Sequence, residues 1–338
     1  MTCYHPIKAY RSKDINDNGK RPLVFNEKYA LNSGNSLSIP CGQCIGCRLE
    51  RSRQWATRVS LENQLHEKSI FCTLTYDEEH LPRTPNTREA TLVPRHFTNF
   101  MKLLRFNISK YYPDNGNIRF FGCGEYGSET KRSHYHIIIF GFEPSDKKLY
   151  KTTFTGFKLY NSAFLEKCWP YGFINFGSVT FESAAYVARY CTKKITGDGA
   201  EEFYGEREPE FVRMSRRPGI AKEWFDKYYK DVYPNDYIVI RDGIKVRPPK
   251  YFDKLAEKYF PDMLDDVKEA RIEAGAKSIK RDLEIRGLSD YVKNSVRHDY
   301  YSIRELESMF YEFEVLPVKE EVQSAKMQKL KRPLEGVL

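Results

Sequence analysis

The run SHYHIIIFG from Ser133 to Gly141 sets His134 and His136 two residues apart in a stretch dense in β-branched and aromatic side chains. Such a stretch reads as a strand. With a strand's period of two, both imidazoles leave the same face, as a chelating pair does. The preceding run NIRFFGCGEYG reads as another strand, ending at Glu125. If the two strands pair antiparallel, Glu125 comes up beside His134. Two imidazoles and a carboxylate leave open positions for water and phosphate oxygens. That donor set suits Mg2+ or Mn2+, with zinc expected only at cysteines.

A second feature follows in FESAAYVARYCTKK, Phe181 to Lys194. At about 100° per residue Ala184, Val187, Ala188, Cys191 and Ile195 fall on one apolar helical stripe. Tyr186 and Tyr190 stand one turn apart on the other side, with Lys193 beside them. A tyrosine that packs a core should share the alanines' stripe, so this pair asks for a chemical reason. Ser183 is expected to cap the helix. A third feature is CGQCIGC, in which Cys41, Cys44 and Cys47 have the spacing of a zinc knuckle. A tetrahedral structural site needs one more ligand, for which Cys3 is the first candidate and His5 the second. The competing reading is a set of reduced cysteines at a helix start. A redox pair is disfavoured because no thioredoxin-like βαβ pattern surrounds it.

These groups need elements to carry them. Ile45 to about His66 reads as a helix that buries Trp55 and Val59 and carries Arg48, Arg51, Arg53 and Arg58. Ser69 to Pro82 gives a strand and a turn. Pro94 opens a helix with Phe97, Met101, Leu104 and Ile108 at core spacing. FLEKCWP reads as a short helix and Phe173 to Phe181 as a strand. The order β, α, β, β, α, β, α predicts an α+β fold: an antiparallel sheet with helices packed on one face and the other face free for a substrate. Residues 1–40 show no period and read as irregular. After Gly197 the chain turns polar, then gives a hairpin at Tyr237–Pro249 with Asp242 and Gly243 as its turn. A mostly helical region follows to about Phe313, and the lysine-rich end from Lys319 is expected to fray. The implied segments are 1–68 (Cys-rich, basic helix), 69–197 (the domain bearing the histidines and tyrosines) and 198–338 (hairpin and helices).

The 338 residues carry 41% hydrophobic and 30% charged side chains and a formal charge of +9. This permits a polyanionic partner without requiring one. No stretch approaches the ~18 apolar residues of a membrane span, and MTCYHPIKAYRSKD lacks an apolar signal core, so a cytoplasmic protein is expected. Eight cysteines at irregular spacing argue for reduced thiols or metal ligands over a disulfide framework.

The HYH run followed by YVARYCTKK resembles the HUH endonucleases, in particular the two-tyrosine replication initiators of small single-stranded DNA phages. PCGQCIGCRLERSRQWATR at Pro40–Arg58, FCTLTYDEEHLP at Phe71–Pro82 and GCGEYG at Gly122–Gly127 extend the likeness to the gokushovirus branch of the microviruses, over most of the chain to about Lys250. HxH alone is a weak signal; the ordered set is specific. The resemblance implies an HUH core that nicks and rejoins single-stranded DNA at the phage replication origin, in the host's bacterial cytoplasm. Tyr186 and Tyr190 would be alternating nucleophiles that form a 5′-phosphotyrosine and free a 3′-hydroxyl for the host polymerase, with a host helicase as a further partner. Lys193 matches the family's lysine after the second tyrosine and would stabilise phosphate or phenolate. Thr73 and Thr75, on the strand beside the histidines, would approach the DNA, and Arg48, Arg51 and Arg58 would meet phosphates. A transposase or a conjugative relaxase is the nearest other enzyme; those more often carry one tyrosine, and the third histidine general in relaxases is absent. A zinc-containing DNA-binding or packaging protein without catalysis is the reading from another class, and it leaves the tyrosine pair unexplained.

Overall fold

The computed structural model describes residues 3–17, 19–127, 130–153, 156–190 (Tyr190 without its side chain), 194, 199–290, 292 and 302–329. The expectations for Lys193 and for the side chain of Tyr190 lie outside these. The stretch expected to be irregular holds a small antiparallel sheet instead. Strand β1 (Ile7–Arg11) lies between β2 (Leu23–Val24) and β3 (Leu37–Ile39). Strands this short, with mostly exposed residues, have too little alternation to be read from sequence.

Helix α1 (Ile45–Asn63) leads into β4 (Ser69–Tyr76), and α2 (Pro94–Tyr111) has its proline in the first turn. Strands β5 (Arg119–Tyr126) and β6 (Ser133–Phe140) are followed by β7 (Lys148–Thr152), β8 (Lys158–Asn161), the short helix α3 (Ala163–Glu166) and β9 (Gly172–Ser178). Then come α4 (Phe181–Tyr190), α5 (Ala200–Tyr204) and β10 (Phe211–Met214). Seven strands form one sheet in the order β10-β5-β6-β4-β9-β8-β7, with antiparallel neighbours throughout. The fold class is therefore α+β, with the strand holding the two histidines well inside the sheet.

Alternation gives this sheet two buried faces. Ile70, Cys72, Leu74 and Tyr76 of β4 and Tyr135, Ile137 and Ile139 of β6 point to one, where Phe97, Phe100, Met101, Leu104 and Ile108 of α2 cover them. On β5 this face carries Gly122 and Gly124. A Cβ on Gly122 would stand 2.9 Å from the Phe97 ring, and one on Gly124 2.8 Å from that of Phe211. Glycine here lets the rings lie on the strand, while the alternate residues Cys123 and Glu125 face the other way.

The other face was expected to be free, and it is not. Phe71, Phe121, Ile138 and Phe140 are all at most 3% exposed. Trp55 of α1 packs on Phe121 at a centroid distance of 5.0 Å, and Tyr186 of α4 meets Phe71 at 6.2 Å. Helices thus pack on both faces, because an apolar row on a sheet must be covered and both of these helices carry apolar stripes of their own. What stays open on this side is the row nearest the strand ends.

Beyond the sheet, α6 (Lys222–Val232) precedes a hairpin, β11 (Ile238–Val239) and β12 (Lys245–Val246). Asp242 and Gly243 both have positive φ, 49° and 73°, as a two-residue type I′ turn requires, so the Asp-Gly reading was right. Helices α7 (Lys250–Tyr259) and α8 (Pro261–Ile285) follow, then Ile303–Phe310, a π-helical turn Tyr311–Val315, and Leu316–Lys329. The end expected to fray from Lys319 is helical as far as Lys329, and Lys319 pairs with Asp282. Two compact units emerge, one from residues 1–50 and 266–330 and one centred on 51–265. The first has its own small core of Leu283, Val292, Leu306 and Val315.

Candidate active site

Antiparallel register sets Glu125 of β5 opposite His134 and Cys123 opposite His136. All four therefore share a face, and Glu125 sits between the two imidazoles. Its Oε1 lies 2.7 Å from His134 Nε2 and 2.8 Å from His136 Nε2. The three ligand atoms are all within 4.8 Å of one another. Glu125 and His136 are each 1% exposed, and His134 is half-buried. Burial works to raise the Glu125 pKa, but hydrogen bonds and charge from His134 and His136 outweigh it and hold it at about 2.

The outer nitrogens set which proton is where. His134 Nδ1 is 3.2 Å from the Arg132 carbonyl, which can only accept, so this nitrogen carries the hydrogen. A neutral His134 then turns an unprotonated Nε2 toward an ionised carboxylate. Two lone pairs facing one another at 2.7 Å require a proton or a cation between them. His136 Nδ1 is 3.1 Å from Thr73 Oγ1, so the hydroxyl fixes the orientation of that ring from behind. The donor set and its outer partners fit a divalent cation, though nothing in the arrangement names the ion.

Thr73 is thus no DNA contact: it is 2% exposed and engaged with His136. The sequence placed it on the correct strand but could not show its partner, which depends on β4 pairing with β6. Thr75, half-buried on the same face, has its hydroxyl 3.4 Å from the Phe173 carbonyl. Tyr186 stands edge-on to His136, with centroids 5.1 Å apart and planes at 89°. It is only 8% exposed, so it does not lie on an open flank of its helix. It lies between α4 and the sheet face that carries the triad, because this helix is buried on more than one side. Arg189 lies over the same ring, its Cζ 5.2 Å from the centroid.

The helix cap also differs from expectation. Thr180 Oγ1 accepts from Ser183 N, and Ser183 Oγ accepts from Thr180 N, so Thr180 is the cap and Ser183 its reciprocal partner. Among the arginines, Arg48 is half-buried and Arg51 exposed on α1. Arg58 is put to a different use. Its guanidinium lies between the rings of Trp55 and Tyr251, at 4.2 and 3.9 Å, and donates to the Ile220 carbonyl. Burial lowers its pKa to about 10.

With this geometry in view, the kinship is informative. The family model for replication-associated proteins of the ORF2 type matches residues 69–195, the stretch from β4 through α4 that holds every candidate catalytic residue. The Replication-associated protein VP4 of Bdellovibrio phage phiMH2K is 34% identical over 265 residues, 78% of this chain and 79% of that protein. The Replication-associated protein ORF2 of Spiroplasma virus 4 is 34% identical over 311 residues, 86% of this chain and 93% of that protein. This chain belongs to the replication-associated proteins of Microviridae-type phages. No solved structure matches it.

A replication-associated protein of this kind also carries the cysteine cluster, which lies wholly in the first unit. The sulfurs of Cys3, Cys41, Cys44 and Cys47 are all within 4.8 Å of one another. Backbone N–H groups of Gln43 and Cys44 point at Cys41 Sγ at 3.4 and 3.3 Å, and that of Cys41 at Cys3 Sγ at 3.2 Å. Burial works to raise the Cys41 pKa, yet the backbone donors bring it down to about 7. The fourth place falls to Cys3; His5 is turned toward Glu320, with Nε2 2.7 Å from Oε2. No helix among the described residues is long and apolar enough to cross a membrane.

Proposed function

We propose that this replication-associated protein nicks and rejoins single-stranded DNA at the phage origin, starting and ending rolling-circle synthesis within the host cell. The observation that carries the reading is the convergence of Glu125, His134 and His136 on one point, with the ring of Tyr186 against His136. Glu125, His134 and His136 would hold Mg2+ or Mn2+, which draws electron density from the non-bridging oxygens of the scissile phosphate and eases the charge of the transition state.

The protein's own groups do the rest. A tyrosine hydroxyl attacks phosphorus; its Oη–P bond forms as the bond from phosphorus to the 3′ oxygen breaks, and the phenol proton passes through solvent to the departing 3′ oxygen. The result is a 5′-phosphotyrosine and a free 3′-hydroxyl that primes the host polymerase, with a host helicase opening the duplex ahead. The tyrosyl ester keeps the energy of the phosphodiester, so a 3′-hydroxyl can later attack it and close a circle without a nucleoside triphosphate. Tyr186 and Tyr190 would alternate as nucleophiles. Lys193 would steady the phosphate or the phenolate, Thr73 holds His136 in place, and Arg48, Arg51 and Thr75 lie on surfaces the strand would cross. The four-cysteine cluster would hold a structural Zn2+.

Incubation with circular single-stranded phage DNA and Mn2+ tests this. Nicked linear DNA is expected from the native protein and none from Glu125→Gln or His136→Ala. Intact circles at saturating binding would favour a DNA-binding module without catalysis.

A further inference from the structure

The register carries the row of Glu125 further across the sheet than the metal-binding groups require. Glu125 pairs with His134, His134 with Thr75, and Thr75 with Phe173. Four strands thus present one line of side chains on the same face. At its far end Phe173 is 67% exposed, in a sheet where Phe71 and Phe121 on the same side are at most 3% exposed. A benzene ring left in water on a strand, in line with a buried charged triad, has no packing role.

The next row inward is Cys123, His136, Thr73 and Asn175. Here the Asn175 Oδ1 is shut away from solvent and bonds no described residue. It is an acceptor two residues from the exposed ring, on the same face as the triad, and unsatisfied acceptors at such depth cost stability unless a donor arrives.

We propose that Phe173 is a stacking platform for a base of the DNA strand, next to or once removed from the scissile phosphate, with Asn175 offering its carbonyl to an N–H of that base. This rests on the nicking function proposed above, since it takes the triad as the place of the phosphate. The separation fits: Phe173 lies two strand spacings from His134, about 10 Å across the sheet. Stacking on a ring is tolerant of sequence because every base has a π-face, so Phe173 sets affinity and register while the base edge is left to polar groups.

The test is binding of the full chain to a fluorescein-labelled oligothymidylate and to an abasic strand of the same length, followed by fluorescence anisotropy. Phe173→Ala is expected to weaken oligothymidylate binding about 5- to 150-fold, the range for loss of one stacked base, and to leave abasic binding unchanged. Phe173→Trp is expected to restore it. Because the side chain is exposed, neither change should alter the thermal unfolding of the protein, and this is checked by circular dichroism. Equal oligothymidylate binding by native protein and Phe173→Ala would overturn the platform while leaving the nicking function standing; so would an equal loss on the abasic strand. Failure of the native protein to bind either strand would overturn both.

Discussion

The tyrosine pair and the triad are where residue chemistry decides the outcome. Tyr186 reaches His136 directly, while Tyr190 follows one turn later on the same helix. If the two phenols alternate, Tyr186→Phe or Tyr190→Phe alone should still nick an origin oligonucleotide but lose most circle formation, and the double change should lose both. Denaturing gels of oligonucleotide and circle substrates make the comparison. Complete and equal loss of nicking from either single change would exclude alternation. Much of this was legible in the sequence, because a period of two fixes which histidines share a face and a period of 3.6 fixes which tyrosines share a turn. Thr73 behind His136 was not legible as a partner. Its role depends on which strand pairs with which, and nothing in SIFCTLTY announces its neighbour. Nor could a helical wheel show that both sides of α4 are covered, which is why Tyr186 was read as outward-facing.

At the scale of elements, the cysteine cluster does for the first unit what a hydrophobic core does for the sheet. The segment from Cys3 and the start of α1 at Ile45 meet at four sulfurs, with backbone N–H groups already turned to them. Fresh reduced protein is expected to contain about one equivalent of zinc, and Cys3→Ser to lose it, whereas the buried Cys72→Ser should not. Substitution by Co2+ should give the intense visible bands of tetrahedral thiolate coordination. Less than about half an equivalent of zinc, or full zinc in Cys3→Ser, would count against the site. The spacing of Cys41, Cys44 and Cys47 was visible in sequence because it is local. The choice of Cys3 over His5 was not, since it spans a separation of 38 residues between Cys3 and Cys41. Strand β10 and the β7–β8 hairpin were missed for a related reason: four or five residues, half-buried or exposed, give no period to read.

In the larger unit one buried carboxylate joins three parts of the chain. Glu62 near the end of α1 is 2% exposed, pairs with Arg119 of β5, and accepts from Ala221 N at 2.5 Å and from His66 at 3.4 Å. Burial alone would raise its pKa, but these donors and the Arg119 charge together lower it below the usual carboxylate range. A depressed folded pKa means that its stabilisation is fully present above the unfolded carboxylate pKa and is lost as pH falls through the folded one. Glu62→Gln should cost about 3 to 5 kcal/mol at neutral pH, the range for breaking a buried ion pair, and the difference from native protein should shrink as the solution is acidified. Denaturant unfolding at several pH values measures this. A difference independent of pH would show that the carboxylate's charge contributes little. Across the whole molecule the α+β class and the central sheet followed from the order of the runs, while helices on both faces did not, because the sequence shows that a strand is apolar on two sides without showing which helix covers each.

The most direct measurement is the mass of the peptide that carries DNA. Native protein, Mn2+ and single-stranded phage DNA should yield a linkage that survives denaturation and, after digestion by nuclease and protease, a nucleotide mass on the peptide containing Tyr186 and Tyr190. His136→Ala should yield none. A nucleotide on another residue, or a linkage undiminished in His136→Ala, would contradict the pairing of tyrosine and triad.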